Sequence, residues 1–308
     1  MVNTRHLPVM VNEVCSFLSG SGEKREVLLD CTVGGGGHAL ALLSSSPNLF
    51  LIGIDRDPKA IEESTKSLTE FKERIELHCA RFSQVKKILK DRKVNKVLVD
   101  LGTRREQIFS EKGFSFRDQE LDMRMDPDTK LTAEEVVNKS SCEELIKIFQ
   151  EGGVRRYLKK VARAIEDARP IKSAKHLAQV IERAIPVKER VKKPYIHPAT
   201  VYFQAIRIYI NQELEELKAL LEVLPLVVAD GAIVCIISYH SLEDKLVAST
   251  FRYWAHPQRE PALLSFKKPA QQPLGTLLTK KPLKSSKEEI DKNFSARSAR
   301  LRVFKFKE

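Results

Sequence analysis

The chain has 308 residues, 42% hydrophobic and 31% charged, with a formal net charge of +12. That length and apolar share exclude disorder over long stretches and leave room for one large domain or two moderate ones. The positive excess favours a polyanionic partner, nucleic acid first. It is also uneven: residues 152–195 hold 13 Lys/Arg against 4 Asp/Glu, and residues 245–308 hold 15 against 5. Two such segments are suited to form the walls of a cleft, or simply a solvated basic surface. No apolar run reaches the ~18 residues of a membrane span, and MVNTRHLPVM lacks a signal-peptide core. A cytoplasmic protein with no membrane contact is therefore expected. Five cysteines, Cys15, Cys31, Cys79, Cys142 and Cys235, are odd in number and scattered. They read as free, mostly buried thiols, not as disulfides or metal ligands.

In chain order, residues 7–18 carry Val11, Val14, Cys15 and Leu18 at helical spacing and predict a leading helix. Val27–Leu29 and Phe50–Ile54 are short apolar runs of the kind that form buried parallel strands. Between them lie Gly34-Gly35-Gly36-Gly37-His38 and a helical pattern over Ala39–Leu43. Glycines between strand and helix let the backbone approach a ligand, and the helix start offers unpaired N–H groups. The second run ends in Asp55, where nucleotide-binding folds place an acid that accepts hydrogen bonds from ribose hydroxyls. This glycine loop is not a clean dinucleotide fingerprint, so a plain tight turn, a nicotinamide cofactor and S-adenosylmethionine all remain open on these residues alone.

A helix over Pro58–Leu68, a strand over Ile75–Ala80, a helix over Val85–Leu89 capped by Ser83, and a strand over Lys96–Leu101 follow. This alternation predicts a parallel sheet with helices on both faces. Phe82 follows the third strand, placed to flank an adenine or to fill the core, and Asp100 ends the fourth, beside the expected crevice. The rhythm then changes. Asp122, Arg124 and Asp126 alternate in LDMRMDP, as a polar floor under a base or as a local salt bridge in a loop. Helices are expected over Ala133–Asn138, Cys142–Glu151, Arg155–Ala168 and Ala174–Ala184, the first two opened by capping boxes. These form a helical insertion, with residues 187–194 as a charged linker back.

The chain is expected to return to the first domain at His197, with a long helix over Thr200–Leu224 that breaks near Asn211-Gln212. A turn at Asp230-Gly231 and a fifth buried strand over Ala232–Ser238 lead to Tyr239-His240-Ser241, which opens another helix. Lys267–Asn293 reads as loop with a short helix over Lys287–Lys292, and Leu301–Phe306 as a last, edge strand. No histidine stands at metal-ligand spacing with another, and Ser241 lacks the Gly-x-Ser-x-Gly elbow of a hydrolase. His240 is a polar lining residue or a structural one.

Taken together, HLPVM, DCTVGGGGH, GIDRDP, DLG with GFSFR and LDMRMD, TAEEVVN, RAIEDARPI, HPATVYFQAIRIYIN, SYHSLEDK, TKKP and ARSARLRV resemble one family over nearly the whole length. It is the ribosomal small-subunit methyltransferase H family, bacterial enzymes that methylate N4 of a cytidine in the decoding region of 16S rRNA. The resemblance implies an α/β fold: a Rossmann-like class I methyltransferase sheet (residues 1–108 and 197–308) with an inserted all-helical RNA-recognition domain (residues 109–196). It implies S-adenosylmethionine as donor and 16S rRNA in the small ribosomal subunit as partner; oligomeric state stays open, a homodimer included. Carried over, Gly36, Gly37 and His38 contact the donor, Asp55 its ribose, Phe82 and Asp100 its adenine side, and Gln107 lies nearby.

Asp100 is the first candidate to accept the protons of the target amine, in competition with its donor role; Asp122, Asp126 and His240 follow. Two departures add positive charge: Thr103-Arg104-Arg105 replaces a hydrophobic residue and two serines, and Gly153-Val154-Arg155 replaces an acidic pair. Two other readings stand beside this one. A DNA amino-methyltransferase would carry Asp/Asn-Pro-Pro-Tyr/Phe after the fourth strand, and Asp100-Leu101-Gly102-Thr103 is not that. A non-catalytic RNA-binding protein on the same fold is made conceivable by Arg104 and Arg105.

Overall fold

The computed structural model describes residues 8–20, 22, 24–103, 110, 112–187, 197–257 and 272–308. The chain divides into two compact units, residues 1–102 with 214–308, and residues 103–213.

The first unit is built on a seven-stranded sheet. In chain order its elements are α1 (Val11–Leu18), β1 (Glu26–Asp30), α2 (Gly37–Ser45), β2 (Leu49–Asp55), α3 (Pro58–Ser67), β3 (Ile75–Cys79), α4 (Val85–Leu89) and β4 (Val94–Asp100). Among the described residues, five helices of the second unit intervene. The first unit resumes in α10 (Glu213–Val227), β5 (Val228–Ser238), α11 (Ser241–Ala255), β6 (Gly275–Leu277), α12 (Lys287–Lys292) and β7 (Arg300–Phe306). The strand order is β3-β2-β1-β4-β5-β7-β6. The first five are parallel, and β7 runs antiparallel to both its neighbours.

Side chains alternate across each strand, and both faces are apolar. Leu29, Ile52, Val97 and Val234 enter one core with α4, α10 and α11. Their neighbours Leu28, Leu51, Leu98 and Cys235 enter another with α1 and α2. Along α10, Leu217, Leu220, Leu221 and Leu224 are fully buried, each worth about 1.5–3 kcal/mol. The result is a doubly wound α/β sheet whose order reverses between β1 and β4. Ligands of such sheets bind outside the carboxyl ends of the strands at that reversal.

Four details of the sheet unit differ from the sequence reading. β7 is interior, not an edge: Leu301 and Val303 are buried on one face and Phe304 on the other. Phe304 and Phe306 pack on Trp254 with ring centroids 5.3 and 5.2 Å away. The edge is β6, within the stretch read as loop; a Cβ at Gly275 would lie 2.1 Å from the Lys305 carbonyl oxygen, so only glycine fits. Asp230-Gly231 stays inside β5 as a register shift, with Gly231 at φ +71° and its N–H donating to the Lys307 carbonyl at 2.8 Å. Ser83 does not cap α4; its N–H and hydroxyl donate to Glu216.

In the second unit, α5 (Ala133–Lys139), α6 (Cys142–Glu151), α7 (Leu158–Asp167), α8 (Ala174–Ala184) and α9 (Thr200–Asn211) share one core. Thr132 with Glu135, and Ser141 with Glu144, form reciprocal capping boxes, each satisfying helix-end N–H groups. The sequence reading returned the chain to the sheet at residue 197. Instead Tyr202, Phe203 and Ile206 of α9 lie in the helical core, and Phe149 meets Tyr202 edge-on at 5.0 Å. The break expected at residues 211–212 is present, with Gln212 at φ 51°. The linker over residues 187–194 lies outside the described residues, Val187 excepted.

Candidate functional site

The site is read at the carboxyl ends of the parallel strands, where the chain leaves each strand for a loop. β1 ends in Asp30, 1% exposed. Its Oδ1 accepts the Thr32 N–H at 3.0 Å. The Thr32 hydroxyl oxygen in turn accepts the Asp100 N–H at 2.6 Å, across 68 residues. One short turn thus ties the end of β1 to the end of β4. The loop continues through Gly34 and Gly36, both at positive φ (52° and 84°), a region open to glycine.

The structure gives Gly36 and Gly37 a packing reason of their own. A Cβ on Gly36 would lie 2.6 Å from the Ser67 hydroxyl, and one on Gly37 would lie 2.9 Å from the Pro8 ring. The bare backbone expected against a ligand is here pressed against the protein itself. Gly35 differs, since a Cβ there would meet only Glu63, at 3.7 Å.

Asp55 ends β2. Its Oδ2 accepts the Gly34 N–H at 3.0 Å and its Oδ1 the Asp57 N–H at 2.9 Å. Two backbone donors thus orient the carboxylate and couple it to the glycine loop. Phe82 is half-buried in a single 3₁₀ turn just beyond β3. Asp100 ends β4, and its Oδ1 accepts the Tyr239 hydroxyl at 2.8 Å.

His38 is 7% exposed, with Nε2 2.8 Å from the Val9 carbonyl oxygen. Because that oxygen can only accept, Nε2 carries the proton. Burial lowers the imidazole pKa; Asp30, the Val9 bond and Glu289 oppose this in that order. A neutral ring leaves Nδ1 as a bare acceptor, 3.9 Å from Asp100 Oδ2. Asp30 feels the crowding: burial pushes its carboxyl up to about 7, His38 and the Thr32 N–H oppose, and Asp100 and Asp55 add to the rise. Burial, then Asp100, holds the Tyr239 phenol well above its ordinary value, so it stays a donor. Acceptors and negative charge therefore converge at the β1/β4 reversal of a strongly basic chain. Such an arrangement suits a ligand that brings positive charge, N–H groups and hydroxyls.

Comparison with known proteins agrees in length as well as in residues. The MraW methylase family matches residues 3–307. The chain belongs to that family. This methylase is 42% identical, over the full length of both chains, to a ribosomal RNA small subunit methyltransferase H of a Nitratiruptor species. It is 40% identical to the protein of the same description in a Sulfurovum species, over 99% of each. The one in Thermotoga neapolitana is 39% identical, over 97% of this chain and 95% of the relative. Among solved structures, an rRNA methylase from Streptococcus thermophilus aligns over 97% of this chain and 94% of its own, at TM-score 0.40 and 10% identity. The class I Rossmann-like assignment of this methylase rests on its own strand order.

Of the residues singled out in the sequence, Gly36, Gly37, His38, Asp55, Phe82 and Asp100 all belong to the sheet unit, at strand ends, in the turns that follow them or in the first turn of α2. Gln107 lies outside the described residues, as do Arg104 and Arg105. His240 caps α11: Nδ1 accepts the Glu243 N–H at 3.4 Å, while Glu243 Oε2 accepts the N–H groups of Tyr239 and His240. Its Nε2 lies 3.0 Å from Glu243 Oε1, without hydrogen-bond geometry.

Asp122 and Asp126 belong to the helical unit and have local work there. Asp122 grips Arg124 at 2.6 and 3.0 Å, and Asp126 accepts the Thr129 N–H and hydroxyl. Sequence reasoning missed Asp30, Thr32 and Tyr239. Each stands at or just past a strand's carboxyl end, which was a usable signal, but their partners are 68 and 139 residues away.

Proposed function

We propose that this methylase transfers the methyl group of S-adenosylmethionine to the exocyclic N4 amine of a cytidine in the decoding region of 16S rRNA. The observation that carries the donor assignment is the placement of Asp30 and Asp100 at the β1/β4 reversal, with Asp55 at the end of the neighbouring β2, in a chain of net charge +12. A sulfonium and an ammonium group answer that charge. The description of the relatives as ribosomal RNA small subunit methyltransferases supports the RNA substrate, and the two basic segments suit a phosphate backbone. When bound, the donor supplies a methyl on a positively charged sulfur, open to in-line attack.

The protein's part is holding and orienting. Asp55, fixed by two backbone N–H groups, offers carboxylate oxygens to ribose hydroxyls. Phe82 offers a half-buried ring to the adenine. The chain Asp30–Thr32–Asp100 keeps the strand ends in register. The N4 amine of cytosine is conjugated with its ring and is a poor nucleophile. Asp100 accepts a hydrogen bond from that amine, so its lone pair localises toward the methyl, while the Tyr239 hydroxyl holds the carboxylate in one rotamer. The base leaves its stack to reach the crevice.

Transfer of labelled methyl from S-adenosylmethionine to small-subunit RNA or particles, followed by nucleoside analysis, tests this: N4-methylated cytidine is expected. Label in another nucleoside overturns the N4 assignment, and an absence of both transfer and donor-binding heat overturns the enzymatic reading. Asp100→Ala should abolish turnover; near-normal turnover would remove Asp100 as the acceptor.

A further inference from the structure

The turn between α12 and β7 carries a feature that the donor site does not use. Phe294 is 69% exposed, the most exposed of the large hydrophobic side chains among the described residues. Its ring does not stand alone: the Arg297 guanidinium lies 4.0 Å from the ring centroid, and Arg297 Nη1 donates to the Phe294 carbonyl at 3.2 Å. The turn is rigid. Asn293 accepts the Ser295 N–H at 3.2 Å, the Ala296 N–H donates to the Asn293 carbonyl at 2.9 Å, and Ala296 and Ala299 are buried in the sheet core. An aromatic ring is thus displayed on a hydrogen-bonded backbone with a cation on one side.

β7 is antiparallel to β5, with Arg300 opposite Ser238. The segment leading into β7 therefore emerges at the sheet edge where β5 ends, the edge that carries the candidate site. In α12, Glu289 accepts the Met10 N–H at 2.6 Å, and its charge bears on both His38 and Tyr239. Residues 280–300 hold seven Lys/Arg against three Asp/Glu. An exposed aromatic ring flanked by a guanidinium, within a basic segment, is the arrangement on which unpaired bases stack.

We infer that Phe294, backed by Arg297, is a stacking platform for an unpaired base of the RNA substrate, next to the base that is modified. The inference rests on the RNA substrate proposed above. A base has an apolar face and a phosphate backbone beside it, which matches both the ring and the charge around it. Stacking is tolerant of base identity, so the platform would contribute affinity and placement, not sequence choice.

The test measures binding of a fluorescently labelled single-stranded RNA, spanning the decoding-region sequence, to the full chain and to Phe294→Ala and Phe294→Trp. Donor binding is followed by calorimetry in parallel. Phe294→Ala should weaken RNA binding about tenfold, with the slope of log affinity against log salt unchanged because no ion contact is lost. Phe294→Trp should restore it, and donor-binding heat should be the same in all three.

If the unsubstituted chain binds RNA and Phe294→Ala binds it equally well, the platform is refuted while the RNA substrate stands. If the unsubstituted chain binds no RNA, both fall. Sedimentation supplies the remaining arm. A chain that self-associates, and becomes monomeric on Phe294→Ala with RNA affinity retained, would make the ring a protein contact and overturn the proposal.

Discussion

Replacing Asp30 by asparagine should make the protein more stable above neutral pH and flatten the pH dependence of its stability. Asp30 is 1% exposed, and burial above all raises its carboxyl from 3.8 to about 7. In the unfolded chain the same group ionises near its ordinary value of ~3.9. Between about pH 4 and pH 7 the folded protein therefore holds a proton that the unfolded chain has lost, and stability falls as pH rises through that window. Below it both states are protonated and there is no penalty; above it both are ionised and the penalty is complete. At ~1.4 kcal/mol per tenfold change in proton affinity, the displacement corresponds to about 4 kcal/mol.

Asparagine has nearly the same shape, keeps an oxygen to accept the Thr32 N–H, and carries no charge. Urea unfolding of both proteins from pH 5 to pH 8.5 measures the effect. Relative to Asp30→Asn, the natural chain should lose about 3 kcal/mol across that interval, the remainder having been lost below pH 5. His38 acts in the opposite sense: its pKa is lowered by burial, so its contribution rises with pH, and most of it cancels in the comparison. Stability curves that run parallel in the two proteins would show that Asp30 is ionised throughout, and would refute the proton uptake inferred from its burial. The natural chain keeps a destabilised group at its site, as expected where binding and stability compete.

Three further outcomes follow from the same geometry. Tyr239→Phe removes the hydroxyl that holds Asp100; turnover should fall about tenfold while donor affinity changes little, and unchanged steady-state kinetics would deny Tyr239 a positioning role. Asp55→Ala should weaken S-adenosylmethionine binding at least ~10-fold by calorimetry, and an unchanged affinity would place the ribose elsewhere. Gly152→Ala would set a Cβ 2.2 Å from the Ala205 Cβ and 2.4 Å from its Cα, forcing α6 and α9 apart. About 3 kcal/mol of destabilisation is expected in the helical unit, and an unshifted urea midpoint would contradict the close approach.

The legible parts of this chain were those written in neighbouring residues. Capping boxes at Thr132 and Ser141 start α5 and α6 where their side chains reach the third N–H, a contact three residues long. β1, β2 and β4 were readable because each is an apolar run bounded by polar turns, and Asp55 and Asp100 because they end such runs. The order of elements then implied a parallel sheet with its site at the strand ends. The family was legible for a different reason, the many short motifs in fixed order.

Tertiary structure decided what depends on partners far along the chain. LRVFKF is apolar enough to be a strand, but whether it is an edge or an interior strand turns on a three-residue partner, β6, and on Trp254 packing over it. α9 has an apolar face in either setting; its burial against α6, with Gly152 under Ala205, put it in the helical unit. Gly36 and Gly37 announced a loop, yet only the folded chain shows them pressed on Ser67 and Pro8. Helix and strand periods are local properties of a sequence, so composition and spacing determine them. The Asp30–Thr32–Asp100–Tyr239 chain needs three strands in register, and register is set only when the sheet closes its two cores.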